Sequence, residues 1–288
     1  MAEIATLQGR AGGYKTASAT MAYQDIIFEK KGEAAWITIN REQDGNTFRT
    51  RTLDEMLDAL EIARRDAGYR TVVITGSGQR FFCLGGDHGA GHDDDAHADA
   101  DAALHYGRMF PVSDLYDAID RHPKPVIACV NGYAVGGGNV LAMMCDLTLA
   151  SKDAQFRQVG PIMGSFDAGF GTWYLEEAVG RKKAKEIWFL NRKYSAAEAL
   201  DMGLVNEVVE PERLQVRCEE LCDQLAERGP QALAALKAAF HARHAGAAGL
   251  SRVTTDLLTL SYYQSEESKE LGRAFAAKQS PDKKKFYR

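Results

Sequence analysis

The 288-residue chain contains no apolar run approaching the roughly 18 residues that a membrane-spanning helix needs, so no membrane partner is expected. It also lacks a surplus of positive charge. Forty acidic side chains stand against 35 basic ones, for a formal net charge of -5 and a pI near 5.9. That balance gives no electrostatic reason to bind nucleic acid. Cysteine is sparse: Cys83, Cys129, Cys145, Cys218 and Cys222 are odd in number, scattered, and mostly set in apolar stretches. Such a pattern suits reduced thiols in the cytoplasm better than a disulfide framework. The first twenty residues lack the basic start and apolar centre of a signal peptide and read as a flexible tail, 1–20. No internal repeat is present. No GxSxG elbow occurs, so a serine-hydrolase triad has no foundation.

What is present is an average globular composition, 45% hydrophobic and 26% charged, in a chain long enough for one large domain or two ordinary ones. From Met21, short β-branched runs alternate with helical patterns. Residues 35–39, 71–75, 126–130 and 147–150 read as buried strands. Between the first two, Leu53, Met56, Leu57, Leu60 and Ala63 recur at helical spacing, with Thr52 and Glu55 as an N-terminal capping box. Ser195 and Glu198 predict a second capping box, and 204–209 a last strand. Strands separated by helices imply an α/β fold with crossover connections. Beyond about Pro211 the strand signals stop and the sequence is helix-forming, so 21–210 is expected to be the core and 211–288 a helical C-terminal region.

Two glycine clusters follow strands: FCLGGD over 82–87 and GYAVGGGN over 132–139. Glycine lets the backbone approach a ligand closely and can leave an N–H free to point at it. Two such segments could aim two donors at one oxygen, forming an oxyanion hole, or could simply make tight turns. Neither contains GxGxxG or the phosphate-binding GxxxxGK[ST] pattern.

The segments 81–87, 132–146 (GYAVGGGNVLAMMCD) and 156–171 (FRQVGPIMGSFDAGFG) resemble the crotonase, or enoyl-CoA hydratase, superfamily, and the similarity runs from about Tyr23 to the C-terminus. The resemblance implies an α/β spiral of ββα units with a C-terminal helical oligomerisation region. It also implies assembly as a homotrimer or a hexamer built as a dimer of trimers, and binding of coenzyme A as part of an acyl-CoA substrate. It places the oxyanion donors at the backbone N–H groups of Gly86 and Gly137. Hydratases of the superfamily use two glutamates, and the matching positions here hold Val140 and Gly160. Without those carboxylates, simple water addition to an enoyl thioester has no general acid or base.

The 156–171 segment and 180–209 resemble one branch, that of 2-ketocyclohexanecarboxyl-CoA hydrolase and 1,4-dihydroxy-2-naphthoyl-CoA synthase. Both run C–C chemistry through a thioester enolate, the first opening a β-keto ring and the second closing a ring by Claisen condensation. Asn139 and Val159, where synthases often carry histidine and threonine, favour the ring-opening enzyme. The branch implies that Ser165 and Asp167 orient substrate and move protons. It further implies that Tyr263 reaches the site, often from a neighbouring chain, and that Tyr106 matches a loop tyrosine. By residue type alone, Asp167 is equally a turn residue and Tyr263 a packing residue. In some synthases bicarbonate replaces the missing base, held by the residues matching Gln158, Gly160 and Trp188; an ordered water could occupy the same space. For the coenzyme, Phe275 and Lys278 match residues that contact CoA across a subunit boundary, and Arg49 lies in a CoA-binding segment, although Gly45 stands where synthases often carry arginine.

Three histidines and five aspartates crowd residues 88–101, with His105 close behind. Their irregular, alanine- and glycine-rich spacing does not suit a fixed metal site, and a hydrated loop that closes over ligand is expected instead, with no metal. A rival of another class is a non-catalytic RNA-binding member of the superfamily, against which the acidic balance speaks.

Overall fold

The computed structural model describes residues 23–87, 111–167, 169–253 and 262–287. Tyr106 and the histidine- and aspartate-rich segment lie outside them. Chain order begins with strands β1 (Ile26–Lys31) and β2 (Ala34–Ile39), helix α1 (Thr50–Arg65), and strands β3 (Thr71–Gly76) and β4 (Phe81–Cys83). Helix α2 (Pro111–Asp120) leads to β5 (Val126–Val130), β6 (Tyr133–Val135) and helix α3 (Gly137–Met144). Strands β7 (Leu147–Ser151) and β8 (Gln155–Arg157) precede the short helix α4 (Gly160–Met163), then α5 (Phe170–Val179) and α6 (Arg181–Leu190). Strand β9 (Tyr194–Ser195), helix α7 (Ala196–Asp201) and β10 (Glu207–Val209) complete the α/β part. Every described element longer than a 3-10 turn beyond it is a helix: α8 (Leu214–Ala226), α9 (Pro230–Val253) and α10 (Glu266–Ala276).

The strands sort into two sheets. The larger runs β1-β2-β3-β5-β7-β10, parallel from β2 onward with β1 antiparallel at its edge. The smaller runs β4-β6-β8-β9, with β4, β6 and β8 mutually parallel. After the β1–β2 pair, which lies wholly in the large sheet, the pairs β3–β4, β5–β6 and β7–β8 each contribute one longer strand to the first sheet and one short strand to the second. This is the repeating ββα spiral that the resemblance implies. Both faces of the large sheet are covered, as parallel strands require. Ala35, Ile37, Val72, Ile74, Val126 and Ala128 face the main core with α1 and α3, while Trp36, Val73, Ile127 and Cys129 pack beneath Leu214, Cys218 and Cys222 of α8. All five cysteines are buried free thiols.

The four expected strands form where their patterns lie. The short strands β4, β6, β8 and β9, of two or three residues each, carry too little periodicity to be seen in sequence. Helix α1 differs from expectation at its start. It begins at Thr50, so Thr52 is its third residue, accepting from the Arg49 N–H at 3.2 Å and donating to Asp25 at 2.6 Å. Glu55 instead accepts from the N–H groups of Gln24, Asp25 and Ile26, fastening the edge strand. The Ser195–Glu198 capping box forms as expected.

Candidate active site

Parallel pairing explains how the glycine clusters meet. β4 and β6 lie side by side, and the chain leaves both in the same direction, so Gly85–Gly86 and Gly136–Gly137 emerge as neighbours at the carboxyl ends of adjacent strands. Their backbones touch: a Cβ on Gly85 would lie 2.9 Å from the Gly137 nitrogen, and one on Gly137 would lie 3.4 Å from the Gly85 α-carbon. Side chains at either position would part the segments. Gly85 also has φ +94°, which glycine adopts without penalty.

Gly86 is bracketed by Phe48, whose N–H donates to the Gly85 carbonyl at 2.9 Å and whose carbonyl accepts from the Asp87 N–H at 3.0 Å. The Gly86 N–H therefore points away from Phe48. Gly137 opens α3, where the first N–H groups have no intrahelical acceptor. Among the described residues neither N–H donates to a protein acceptor. Beside Gly86, the buried Asp87 is held by Arg41 at 2.8 Å, and Arg41 also donates to the Thr47 carbonyl at 2.8 Å.

β8, the next parallel strand, delivers the 158–167 segment to the same edge, and the Gly136 N–H donates to Arg157 at 2.9 Å. Gly160 admits no side chain without movement, since a Cβ there would lie 2.8 Å from the Ser165 carbonyl. The Gln158 side chain is fully buried, and neither its Oε1 nor its Nε2 has a hydrogen-bond partner among the described residues. Such an amide calls for a guest that both donates and accepts. Trp188 departs from expectation: its indole N–H donates to the Gly171 carbonyl at 2.8 Å. It supplies a ring beside Gly171 and not a third donor. The indole N–H is therefore engaged elsewhere and does not complete the three-donor cradle implied for bicarbonate.

Asp167 sits in the turn before α5. Its Oδ1 accepts from the N–H groups of Gly169 at 3.2 Å and Gly171 at 2.9 Å, anchoring the carboxylate at the helix start. Burial raises its pKa above the ordinary aspartate value of 3.8, and these N–H groups offset only part of that rise. Two residues earlier, the Ser165 hydroxyl shares a 2.7 Å hydrogen bond with Tyr263. The two residues are 98 positions apart in sequence. Helix α10 makes this possible: Ser268 donates to the Gly164 carbonyl at 2.5 Å.

Tyr116 belongs to the same site but carries no motif in the sequence. It is buried, donates to the Gly137 carbonyl at 3.0 Å, and meets Phe170 edge-on with centroids 5.6 Å apart. Burial drives its pKa well above 10, with Asp167 as the next contributor, so the phenol stays neutral. It links the Gly137 segment to the Asp167 turn. Nothing in the local sequence marks it, since a tyrosine among apolar residues reads as packing.

Of the residues expected to hold coenzyme A, Arg49 is the one already engaged by a buried partner. Arg49 forms a bidentate pair with buried Asp25, at 2.8 Å from both Nε and Nη2. Its guanidinium is thereby committed to the fold. Phe275 is 46% exposed at the end of α10, and Lys278 follows with φ 52°.

A family model described as enoyl-CoA hydratase/isomerase matches residues 29–285. Among solved structures, an enoyl-CoA hydratase from Mycobacterium avium subsp. paratuberculosis K-10 is 26% identical, with TM-score 0.76 over 90% of this chain and 98% of that one. An enoyl-CoA hydratase subunit from Geobacillus kaustophilus HTA426 is 29% identical, with TM-score 0.69 and the same two shares. A monofunctional enoyl-CoA isomerase from M. smegmatis is 26% identical, with TM-score 0.65 over 80% of this chain and 98% of that one.

Proposed function

Since the chain belongs to the enoyl-CoA hydratase/isomerase family and is thus an acyl-CoA enzyme, we propose that it opens the ring of a cyclic β-keto acyl-CoA by adding water. The observation that carries this reading is the placement of carboxylates. Val140, at one hydratase glutamate position, is buried in α3, and Gly160, at the other, has no room for a side chain. Asp87 is paired with Arg41. Among the described residues, Asp167 is the carboxylate at the site with an oxygen that no donor engages.

In this reading a water gives its proton to Asp167 as its oxygen attacks the ring ketone carbon. The tetrahedral adduct collapses, breaking the bond between that carbon and the thioester α-carbon. The electron pair passes into the thioester as an enolate, held by the Gly86 and Gly137 N–H groups. The α-carbon then takes a proton from the Tyr263–Ser165 pair, leaving an open-chain acyl-CoA with a terminal carboxylate. Gln158 and the Gly160 N–H would hold the attacking water or its replacement, and no step passes through bicarbonate. Phe275 and Lys278 are assigned to coenzyme A. A homotrimer or hexamer is proposed, supported by Leu236 and Phe240, 58% and 75% exposed on α9.

Incubation with 2-ketocyclohexanecarboxyl-CoA and mass detection should give a thioester heavier by one water. Turnover of o-succinylbenzoyl-CoA without that product would assign the protein to the ring-closing synthases. Hydration of crotonyl-CoA alone would overturn both readings.

A further inference from the structure

Phe48 touches both members of the donor pair. Its backbone brackets Gly86, bonded to the residue on either side. Its ring reaches the other donor: a Cβ built on Gly137 would lie 2.7 Å from the Phe48 Cζ and 3.4 Å from Cε1, so the ring edge rests on the Gly137 α-carbon. The residue is 3% exposed. It is also held from behind. Arg41 donates to the Thr47 carbonyl and to Asp87, and the Leu84 N–H donates to the Gly45 carbonyl at 3.1 Å. One residue thus fixes the direction of one N–H through its backbone and the position of the other through its side chain.

We propose that Phe48 is a positioning residue that sets the separation of the Gly86 and Gly137 N–H donors. This rests on reading those donors as the thioester oxyanion hole. Both donors must lie about 2.7–3.1 Å from a single oxygen. A rigid ring with two torsions transmits a fixed distance between them, whereas a flexible side chain would let the glycine segments drift together or apart.

The test uses cyclohexanecarboxyl-CoA labelled with ¹³C at the thioester carbonyl, which has no β-ketone and does not react. Infrared spectroscopy of the bound carbonyl reads its polarisation. The wild-type protein should lower the stretching frequency relative to water. Phe48→Leu, which withdraws the ring edge, should still bind the analogue but lose most of that lowering. On the reactive ring substrate, Phe48→Leu should lose on the order of 10²-fold in kcat, as a misplacement near 1 Å does, with KM little changed. Phe48→Tyr keeps the ring and the core volume but adds an oxygen where Cζ meets Gly137; it should also reduce the lowering, and it carries the test should Phe48→Leu not fold. Full lowering in both folded variants would overturn the role of Phe48 and leave the donors standing. No lowering in the wild-type protein would overturn the donors themselves, and the Phe48 assignment with them.

Discussion

At the scale of single residues, the proposed mechanism rests on what surrounds Asp167. Burial pushes its pKa up, and two backbone N–H groups pull it partly back. A base must be ionised to accept a proton, so activity should rise with pH through a pKa above the usual aspartate value of 3.8. The acid limb of the kcat/KM profile measures it. Asp167→Asn keeps the shape and removes the base; it should lower kcat by about 10²–10⁴-fold and abolish that limb. A retained limb would place the titrating group elsewhere. The same residue shows the limit of local reading. Between glycines, an aspartate is a sound turn former, and its second role depends on burial that no local pattern encodes.

At the scale of elements, α10 is docked on the 158–167 loop, with its tightest approach at Gly164. Gly164 has φ +79°, and a Cβ there would lie 2.3 Å from the Ser268 carbonyl oxygen. Gly164→Ala should therefore cost about 1–3 kcal/mol for the left-handed backbone alone, before the clash is counted. The helix should lift from α4 and the Ser165–Tyr263 hydrogen bond should loosen. Hydrogen exchange across 262–276 should quicken, and kcat should fall with it; unchanged exchange there would disprove the coupling. A buried clamp supports the other end of α10. Glu270, 2% exposed, accepts from Arg273 at 2.6 Å, from Lys285 at 2.9 Å and from the Asp282 N–H at 2.8 Å.

Over the whole molecule, the stability of the fold is tied to pH through His122. Its Nε2 meets the Leu60 carbonyl at 3.2 Å and its Nδ1 accepts from the Lys124 N–H at 3.2 Å. Lys124 in turn bonds the carbonyls of Ala63 and Asp66, so this short segment closes the C-terminal end of α1 onto the sheet. Burial pulls the His122 pKa from 6.5 down to about 4. The unfolded chain therefore binds a proton that the folded chain refuses between those values. That stability is fully present above pH 6.5 and is lost as pH falls toward 4; at 1.36 kcal/mol per unit the loss is about 3 kcal/mol. Urea unfolding at a series of pH values should show this slope, and His122→Gln should flatten it.

The amino-acid sequence by itself determined the α/β class, because alternating buried runs and helical patterns admit few other arrangements. It also determined the helical character of the C-terminal region. The glycine clusters were visible, but their meaning was not, since a turn and an oxyanion donor have the same local signature. Only the tertiary structure brought the two clusters together, by pairing strands of three residues that carry no periodicity of their own. It likewise decided that Arg49 serves Asp25, that Trp188 serves Gly171, and that Tyr263 meets Ser165. Each of these is a long-range hydrogen bond. Residue type limits which side chains can form such a bond, but the partner is chosen by packing.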